Sequence, residues 1–330
     1  MIKTATRWTL FILLLGFCPS ACEKDGNGNE PKNRFEYVHS FLIDNQNRKI
    51  LATDAGLYSW DKNTGWNTLK LDNLEERYIF DMSISPPTGM QELWLGTDAG
   101  ALNYTSGQSI HTGNSGLPSN LVTKLAIHQV FGMFFSTDSG ISVLLDEAWY
   151  NTAGIDEIYK LNDITGIAVA ENNYTYVSTY GGGVGRFRAD VDGISGATVF
   201  TSDWTRLNTN LINTVYVDDT VQWYGTDAGI AVHYSEFTKW NWETYSVYDG
   251  LICDTVLSIV KDGNGHMWFG TMAGISMYDG ANWTSYTRMG DEIPTDTVRF
   301  LAVDTDGSVW MASGSGLSHF DGSKWLIYKD

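Results

Sequence analysis

Cysteine is scarce in this chain of 330 residues, which contains only Cys18, Cys22 and Cys253. The first two lie in the N-terminal segment, so the rest of the chain has a single cysteine. One cysteine cannot form an intrachain disulfide or build a cysteine-rich structural metal site. We expect Cys253 to be a small buried apolar residue, because no histidine or basic cluster near it in the sequence would activate the thiol.

Positive charge is also in short supply. The chain has 21 Lys and Arg against 39 Asp and Glu, which gives a formal net charge of -18. Binding to nucleic acid requires a basic surface that faces the phosphates, so this class of partner is excluded. Neutral or cationic ligands fit the charge better. The alternative interpretation is that the acidity only keeps an exported protein soluble.

No hydrophobic run is long enough to span a bilayer. Lys3 and Arg7 precede an apolar run from Leu10 to Phe17, well short of the roughly 20 residues that a transmembrane helix needs. A basic start followed by a short apolar run is typical of a secretory signal. We therefore predict a signal peptide over residues 1–21.

The segment that follows the apolar run, Pro19-Ser20-Ala21-Cys22, resembles the lipobox of bacterial lipoproteins. Pro19 stands where such boxes usually carry leucine. The resemblance implies a lipid on Cys22 and a location at the outer membrane, on its periplasmic or cell-surface side. Residues 22–34 are polar and glycine-rich, so we expect them to form a flexible tether.

Sequence motifs for catalysis are missing as well. The six histidines show no H-x-H or H-E-x-x-H spacing for zinc, and no G-x-S-x-G segment marks a hydrolase nucleophile. The sequence therefore predicts no catalytic residues and no metal site built from histidine, and favours binding over catalysis.

What the chain does have is a repeated unit, seen most clearly in residues 254–286. Each unit contains four short runs of β-branched and aromatic residues separated by Gly and Asp, a pattern typical of an antiparallel meander. A glycine before the third run recurs seven times, at Gly56, Gly100, Gly140, Gly183, Gly229, Gly274 and Gly316. This period predicts an all-β fold over residues 35–330, a seven-bladed β-propeller with four antiparallel strands per blade.

The two ends of the repeat predict how the ring closes. Blade one begins near Tyr37, and blade seven completes its own fourth strand at Trp325 to Tyr328. We therefore expect whole blades without strand exchange, and a seam between blades one and seven that is held by packing. Trp94, Trp223, Trp268 and Trp310 recur at one place in the second strand, where we expect them to pack between neighbouring blades.

The unit resembles the two-component regulator propeller repeats, whose pattern runs approximately V-x-x-I-x-x-D-x-x-G-x-x-W-x-G-T-x-x-G-L-x-x-Y-D-G-x-x-W. Residues 254–286 match this pattern closely, residues 296–328 nearly as well, and Thr179 to Gly183 is a common variant of its turn. In that family the repeats form the extracytoplasmic sensor part of hybrid histidine kinases, many of which detect glycan fragments. The resemblance implies a sensor-like propeller that binds a ligand such as a glycan fragment without transforming it.

Candidate ligand-binding residues lie in the turn between the second and third strands. Four of these turns carry an aspartate after a threonine, at Asp54, Asp98, Asp138 and Asp227. One interpretation is a ring of carboxylates around one end of the channel, which could bind a ligand or a cation. The other is that aspartate simply stabilises the turn by bonding nearby backbone N–H groups.

Blade four breaks this rule and supplies the strongest single candidate. Tyr180 replaces the aspartate, and Gly181 and Gly182 lengthen the turn. Bare backbone would let a ligand approach closely, and the phenol ring could stack on it. The longest insertion, from Arg186 to Asp203 between strands three and four of the same blade, is predicted to lie on the opposite face and to contact a partner protein.

Further candidates lie on the innermost strands. Asp81 and Lys124 occupy equivalent places on neighbouring blades, where they either neutralise each other in a salt bridge or bind a ligand. Arg299 in blade seven is similarly out of pattern.

Two other functions remain open. One is a scaffold that binds a membrane protein. The other is a lyase, because the streptogramin lyases are similar in fold and that similarity implies a His and Mg²⁺ site at the channel.

Overall fold

The computed structural model describes residues 37–70, 77–85, 91–152, 163–203, 205–218, 220–234, 241–290 and 293–328. All of these residues belong to one compact unit, Asn33–Asp330. The predicted signal peptide, Cys22 with its predicted lipid and the whole of the predicted tether lie outside the described residues. None of the described segments forms a helix long and apolar enough to span a membrane.

Every secondary-structure element in the described ranges is a β-strand. Blades one to four consist of β1 Val38–Ile43, β2 Lys49–Thr53, β3 Gly56–Asp61, β4 Gly65–Leu69; β5 Ile79–Ile84, β6 Leu93–Thr97, β7 Gly100–Asn103, β8 Ser109–Ile110; β9 Val122–His128, β10 Gly132–Thr137, β11 Gly140–Leu145, β12 Ala148–Asn151; and β13 Ile164–Val169, β14 Tyr174–Thr179, β15 Gly183–Asp190, β16 Gly193–Phe200.

Blades five to seven continue the same order. Their strands are β17 Ile212–Asp218, β18 Val221–Thr226, β19 Gly229–Tyr234, β20 Asn241–Tyr245; β21 Val256–Lys261, β22 Met267–Thr271, β23 Gly274–Tyr278, β24 Trp283–Tyr286; and β25 Phe300–Val303, β26 Val309–Ser313, β27 Gly316–Phe320, β28 Trp325–Tyr328. Each blade is a four-stranded antiparallel sheet in chain order. The first strands of consecutive blades contact one another, and β1 contacts β25. The predicted seven-bladed propeller is therefore confirmed.

The core lies between the blades and not within them. Each of seven apolar clusters contains residues of two consecutive blades, and the seventh joins blades seven and one. The second strands β2, β6, β22 and β26 are buried at every residue, because a neighbouring blade covers each face of their sheet. On the second strands Trp94, Trp223, Trp268 and Trp310 are all buried, as predicted.

The small residue before the threonine of the second strand is required by close approach of the next blade. A Cβ atom on Gly270 would lie 2.3 Å from Ser258 Oγ and 2.5 Å from the carbonyl oxygen of Val298, which belongs to the following blade. Real Cβ atoms do not approach that closely, so only glycine fits unless the backbone moves. The recurrent Gly-Thr pair thus sets how tightly consecutive blades pack.

Blades one and seven meet at the seam as complete four-stranded sheets, without strand exchange, as predicted. Its apolar cluster combines Phe41, Leu51 and Trp60 with Trp310 and Leu317. An ion pair that no sequence pattern indicated lies beside this cluster: Lys49 Nζ is 2.6 Å from Asp304 Oδ2, and both side chains are only 3% exposed.

The insertion of blade four lengthens the hairpin β15–β16, whose two strands have eight residues each and pair along most of their length. Its turn lies at the end opposite the turns between second and third strands, and its contact with a partner protein stays a prediction. One sequence-based expectation is wrong. Cys253 is partly exposed and not buried, because it precedes β21 and does not belong to the inner strand.

A buried histidine gives the fold a predicted pH dependence. His233 Nδ1 lies 2.8 Å from Gln222 Oε1, and its ring contacts Trp242. Burial, with a smaller contribution from the charge of Arg186, lowers the pKa of His233 from 6.5 to about 4. Between pH 6.5 and pH 4, His233 is therefore protonated in the unfolded chain and neutral in the folded chain. The free energy of unfolding falls as the pH falls from about 6.5 towards 4.

We expect this loss to be on the order of 2 kcal/mol, after allowance for solvent screening of the ring. Urea unfolding at pH 7 and pH 4.5 measures it, and His233→Gln should remove most of the difference. The matched variant His266→Gln, on a partly exposed imidazole, should keep it. An equal loss of stability in the wild type and in His233→Gln would contradict the assignment.

Candidate functional site

The end of the propeller that carries the turns between second and third strands has a second feature in six of the seven blades. The first strand contains a β-bulge, visible as a register shift just before the residue that pairs with the small residue of the second strand. The residues at the bulge are His39, Phe80, Thr123, Thr165, Asn213 and Leu257, and Arg299 has the matching place in blade seven. We call this end, with its turns and bulges, the turn face.

Equivalent positions on the turn face do not keep one side chain. The residue that follows the second strand is aspartate in four blades, and it is Tyr180, Met272 or Gly314 in the other three. The bulge position varies more widely, from histidine and phenylalanine to asparagine, leucine and arginine. Packing between blades therefore does not dictate these side chains, in contrast to the buried positions of the second strand.

Two of the predicted site residues meet across neighbouring blades. The hydroxyl of Tyr180 in blade four donates to Asp227 Oδ2 in blade five at 2.8 Å. Asn213 Nδ2, from the bulge of blade five, donates to Asp227 Oδ1 at 2.8 Å. The bond to Asp227, together with burial, raises the pKa of Tyr180. The phenol is therefore a neutral donor at physiological pH, and the group forms a fixed donor–acceptor set.

The glycines beside Tyr180 leave this set open. Gly181 is exposed, has φ +117° and has no atom within 4 Å of the place where a Cβ would lie. Its backbone N–H donates to the carbonyl of Asn210, and the N–H of Gly182 donates to Thr179 Oγ1. The turn is thus anchored by Asn210, just before blade five, and by its own Thr179. The outward side of Gly181 is open, which suits approach by a ligand.

A second polar set lies between blades one and two and was missed by sequence reasoning. His39 Nε2 lies 2.5 Å from Asp54 Oδ1, and the hydroxyl of Tyr78 lies 2.9 Å from His39 Nδ1. Burial, and then the charge of Asp54, raises the pKa of Tyr78 to about 12. Asp98 accepts from the backbone N–H of Tyr78 at 3.2 Å. The set therefore links the acidic turns of two blades through one imidazole and one phenol.

The other predicted residues take different places. Asp138 is exposed, and Ser139 Oγ donates to its carboxylate at 3.3 Å. Arg299 is exposed at the bulge position of blade seven.

The salt bridge considered between Asp81 and Lys124 is not formed. Asp81 accepts instead from Ser40 Oγ in blade one at 3.1 Å and from the backbone N–H of Leu125 in blade three at 3.0 Å. These donors satisfy its carboxylate, so Asp81 joins three blades. No carboxylate within the described ranges lies at salt-bridge distance from Lys124, which is partly buried on the same ring of first strands.

Within the described ranges the acidic turns do not bring three His, Cys, Asp or Glu side chains together as a metal ion would require. A cation bound at these turns stays a prediction. The sets that the structure does bring together, Tyr180–Asp227–Asn213 and Tyr78–His39–Asp54, combine hydrogen-bond donors, acceptors and aromatic rings.

Comparison with known proteins supports the resemblance drawn from the sequence. Residues 250–273 match the sequence profile of the two component regulator propeller family. No curated protein is recognisably similar in sequence to the chain.

Among solved structures, the extracellular domain of BT3049 from B. thetaiotaomicron, described as a hybrid two component system, superposes with a TM-score of 0.64 at 18% identity over 89% of this chain. PorZ, a surface component of the type-IX secretion system of Porphyromonas gingivalis, superposes with a TM-score of 0.68 at 16% identity over 86% of this chain. The chain spans less than half the length of either structure, 47% and 46% respectively.

Streptogramin B lyase superposes with a TM-score of 0.64 at 11% identity, covering 91% of this chain and 96% of the lyase. At these identities the likeness shows the fold alone.

Proposed function

We propose that this chain is an extracytoplasmic ligand-binding propeller, held at the outer membrane by a lipid on Cys22. It captures an uncharged, hydroxyl-bearing small molecule such as a glycan fragment on the turn face and does not transform it. The proposal rests on one observation, the variation of side chains at equivalent positions of the turn face. The fold requires the backbone conformation of the turns and bulges but no particular side chains at these positions, so the side chains can bind a ligand.

The chemistry of the Tyr180–Asp227–Asn213 set supports this class of ligand. Asp227 is partly buried, and its carboxylate accepts from Tyr180 and Asn213, so it is an oriented acceptor for further hydroxyl groups. Tyr180 offers a ring on which an apolar sugar face can stack, and the bare backbone at Gly181 and Gly182 lets the ligand approach. Similarity to extracellular and surface propellers supports a location outside the cytoplasm.

Replacing Asp227 by alanine should weaken ligand binding by roughly 10- to 100-fold, because a hydrogen bond to a charged group contributes about 1.5–3 kcal/mol. The compact unit of residues 33–330 is screened against a glycan array, and hits are quantified by titration calorimetry. Tyr180→Ala should cause a comparable loss. Asp279→Asn is the matched control, since Asp279 is an exposed turn aspartate at the opposite end, and it should bind as the wild type does.

The same samples distinguish the other functions. A glycan that binds equally well to Asp227→Ala and to the wild type would remove the turn face as the site. Conversion of the glycan to a product that disappears in His39→Ala would support a lyase. Absence of any hit, together with co-purification of a membrane protein, would support a scaffold.

A further inference from the structure

Two arginines lie side by side on the face of blade four that is turned towards blade five. Arg186 and Arg188 are two residues apart on β15, so their side chains leave the same face of the sheet. Val184, on that face as well, belongs to the apolar cluster between the two blades. At the place of Arg186, blades three and five carry Val143 and Val232, which are fully buried. The two arginines thus depart from the repeat, and we call them the arginine pair.

No acidic side chain within the described ranges balances the arginine pair. Arg48, Lys49 and Lys261 each lie 2.6 Å from a carboxylate, whereas no carboxylate that the structure describes is at salt-bridge distance from Arg186 or Arg188. The chain contains 39 Asp and Glu, so a shortage of negative charge is not the reason. The Nε atoms of the pair are buried without an acceptor, while the terminal nitrogens, which make no hydrogen bond either, keep accessible surface.

The ring of Tyr174 holds both guanidinium groups near one place. The Cζ atom of Arg188 lies 4.0 Å from the ring centroid, and that of Arg186 lies 4.6 Å from it. The two positive charges are therefore less than about 9 Å apart and repel each other. The face of a ring attracts a guanidinium group but accepts none of its in-plane hydrogen bonds. The N–H groups at the edge of each guanidinium fork are thus left for another acceptor.

The surroundings of the arginine pair add hydroxyl groups and no negative charge. On the outermost strand β16, Ser195 pairs with Arg188 and Thr198 pairs with Arg186, so their hydroxyl groups lie on the same face. Ser195 is exposed and Thr198 partly exposed, which opens this side to solvent. In blade five, burial and then the charge of Arg186 lower the pKa of His233 to about 4, so this imidazole is neutral.

We infer that the arginine pair binds a tetrahedral oxyanion, a phosphate or sulfate group, at the outer edge of the interface between blades four and five. The terminal nitrogens of both arginines donate to its oxygens. A carboxylate is satisfied by one guanidinium fork, whereas a tetrahedral anion has oxygens for two. Bonds of about 2.7–2.9 Å let one such anion bridge the pair. The site does not rest on the function proposed for the turn face, and it lies towards the end of β15 that is far from Tyr180.

The test is equilibrium dialysis of the full chain, purified in a nonionic detergent, against radiolabelled phosphate and radiolabelled sulfate at constant ionic strength. We expect at least one of these anions to bind saturably, at one anion per chain. Arg188→Met keeps an apolar stem over Tyr174 and removes the fork, so it should raise the dissociation constant roughly tenfold or more. Arg188→Lys should also weaken binding, because an ammonium group keeps the charge but not the fork.

Arg288→Met is the matched control, since Arg288 is exposed at the other end of the propeller, and it should bind the anion as the wild type does. Methyl phosphate and methyl sulfate identify the source of the group. Displacement of the label by these esters supports a site for a group carried on a larger ligand, and displacement by the inorganic ions alone supports a site for the free ion.

No saturable binding of either anion to the folded wild type would overturn the inference. Equal weakening in Arg188→Met and Arg288→Met would do so too, because it would show attraction to positive charge in general. Displacement of the label by acetate at the concentration at which the inorganic ions displace it would contradict the class of ligand. If Arg188→Met fails to fold, Arg188→Lys decides alone, and an unchanged affinity in that variant counts against the site.

Discussion

Deleting residues 325–330 is expected to abolish cooperative folding of the propeller. The deletion removes β28, the outer strand of blade seven, which pairs along the length of β27. Trp325 is 1% exposed and contacts Trp268 and Phe320, while Tyr328 contacts Trp310 in its own blade and Trp60 across the seam. The loss therefore exposes the apolar surfaces of both neighbouring interfaces.

Removing a buried tryptophan side chain alone costs about 3–5 kcal/mol, and a whole domain is stable by only about 5–15 kcal/mol. The loss of a second aromatic side chain and of the strand pairing adds to that cost. Guanidinium unfolding followed by tryptophan fluorescence checks the expectation, with deletion of residues 329–330 alone as the control. A cooperative transition of the longer deletion within about 1 kcal/mol of the control would show that β28 is dispensable.

Replacing Lys49 by methionine should destabilise the protein by about 3–5 kcal/mol, even though methionine is the residue found at this position in blade six. The substitution leaves the carboxylate of Asp304 buried without its counter-charge. Asp304→Leu should be similarly costly, because the ammonium group of Lys49 then keeps only Asn47 as a hydrogen-bond acceptor.

The double variant Lys49→Met with Asp304→Leu should recover most of the loss, because a buried ion pair replaced by apolar residues of similar size is often neutral or stabilising. Free energies of unfolding for the four proteins form a thermodynamic cycle. Lys261 and Asp218 provide the matched pair, with the same 2.6 Å contact but side chains 34% and 38% exposed. That pair should couple by less than about 1 kcal/mol. A coupling at Lys49–Asp304 no larger than this would contradict the assignment.

The sequence was sufficient to predict the fold because each blade is a local meander whose turns carry their own signals. Asp262 and Asp279, for example, lie in hairpin turns that their Gly and Asn residues mark in the sequence. The first strands could also be aligned correctly from the sequence, with Ser40, Asp81 and their counterparts at the same position of each blade. Each of them pairs with the small residue of its second strand.

The candidate site could be predicted only in part, for a physical reason. A bulge changes the face of the sheet on which a side chain lies, but it does not change the length of the repeat, so the sequence pattern does not show it. The bulge residues His39 and Asn213 were therefore not predicted as site residues, although Arg299, at the matching position of blade seven, was. Comparing the residue one place before each aligned first-strand position would have found His39.

Contacts between blades were the least predictable. Tyr180 and Asp227 were each selected from the sequence, but their contact joins residues 47 apart. Lys49 and Asp304 are 255 apart and meet only because the ring closes. No local pattern indicates that a lysine at an apolar position has its partner at the other end of the chain.

The most direct test of the account is a crystal structure of residues 33–330 with the tightest-binding glycan from the array. We predict electron density for the glycan on the turn face, within hydrogen-bonding distance of the Asp227 carboxylate and in contact with the ring of Tyr180. Density for the glycan confined to any other surface, with the turn face unchanged, would contradict the central claim.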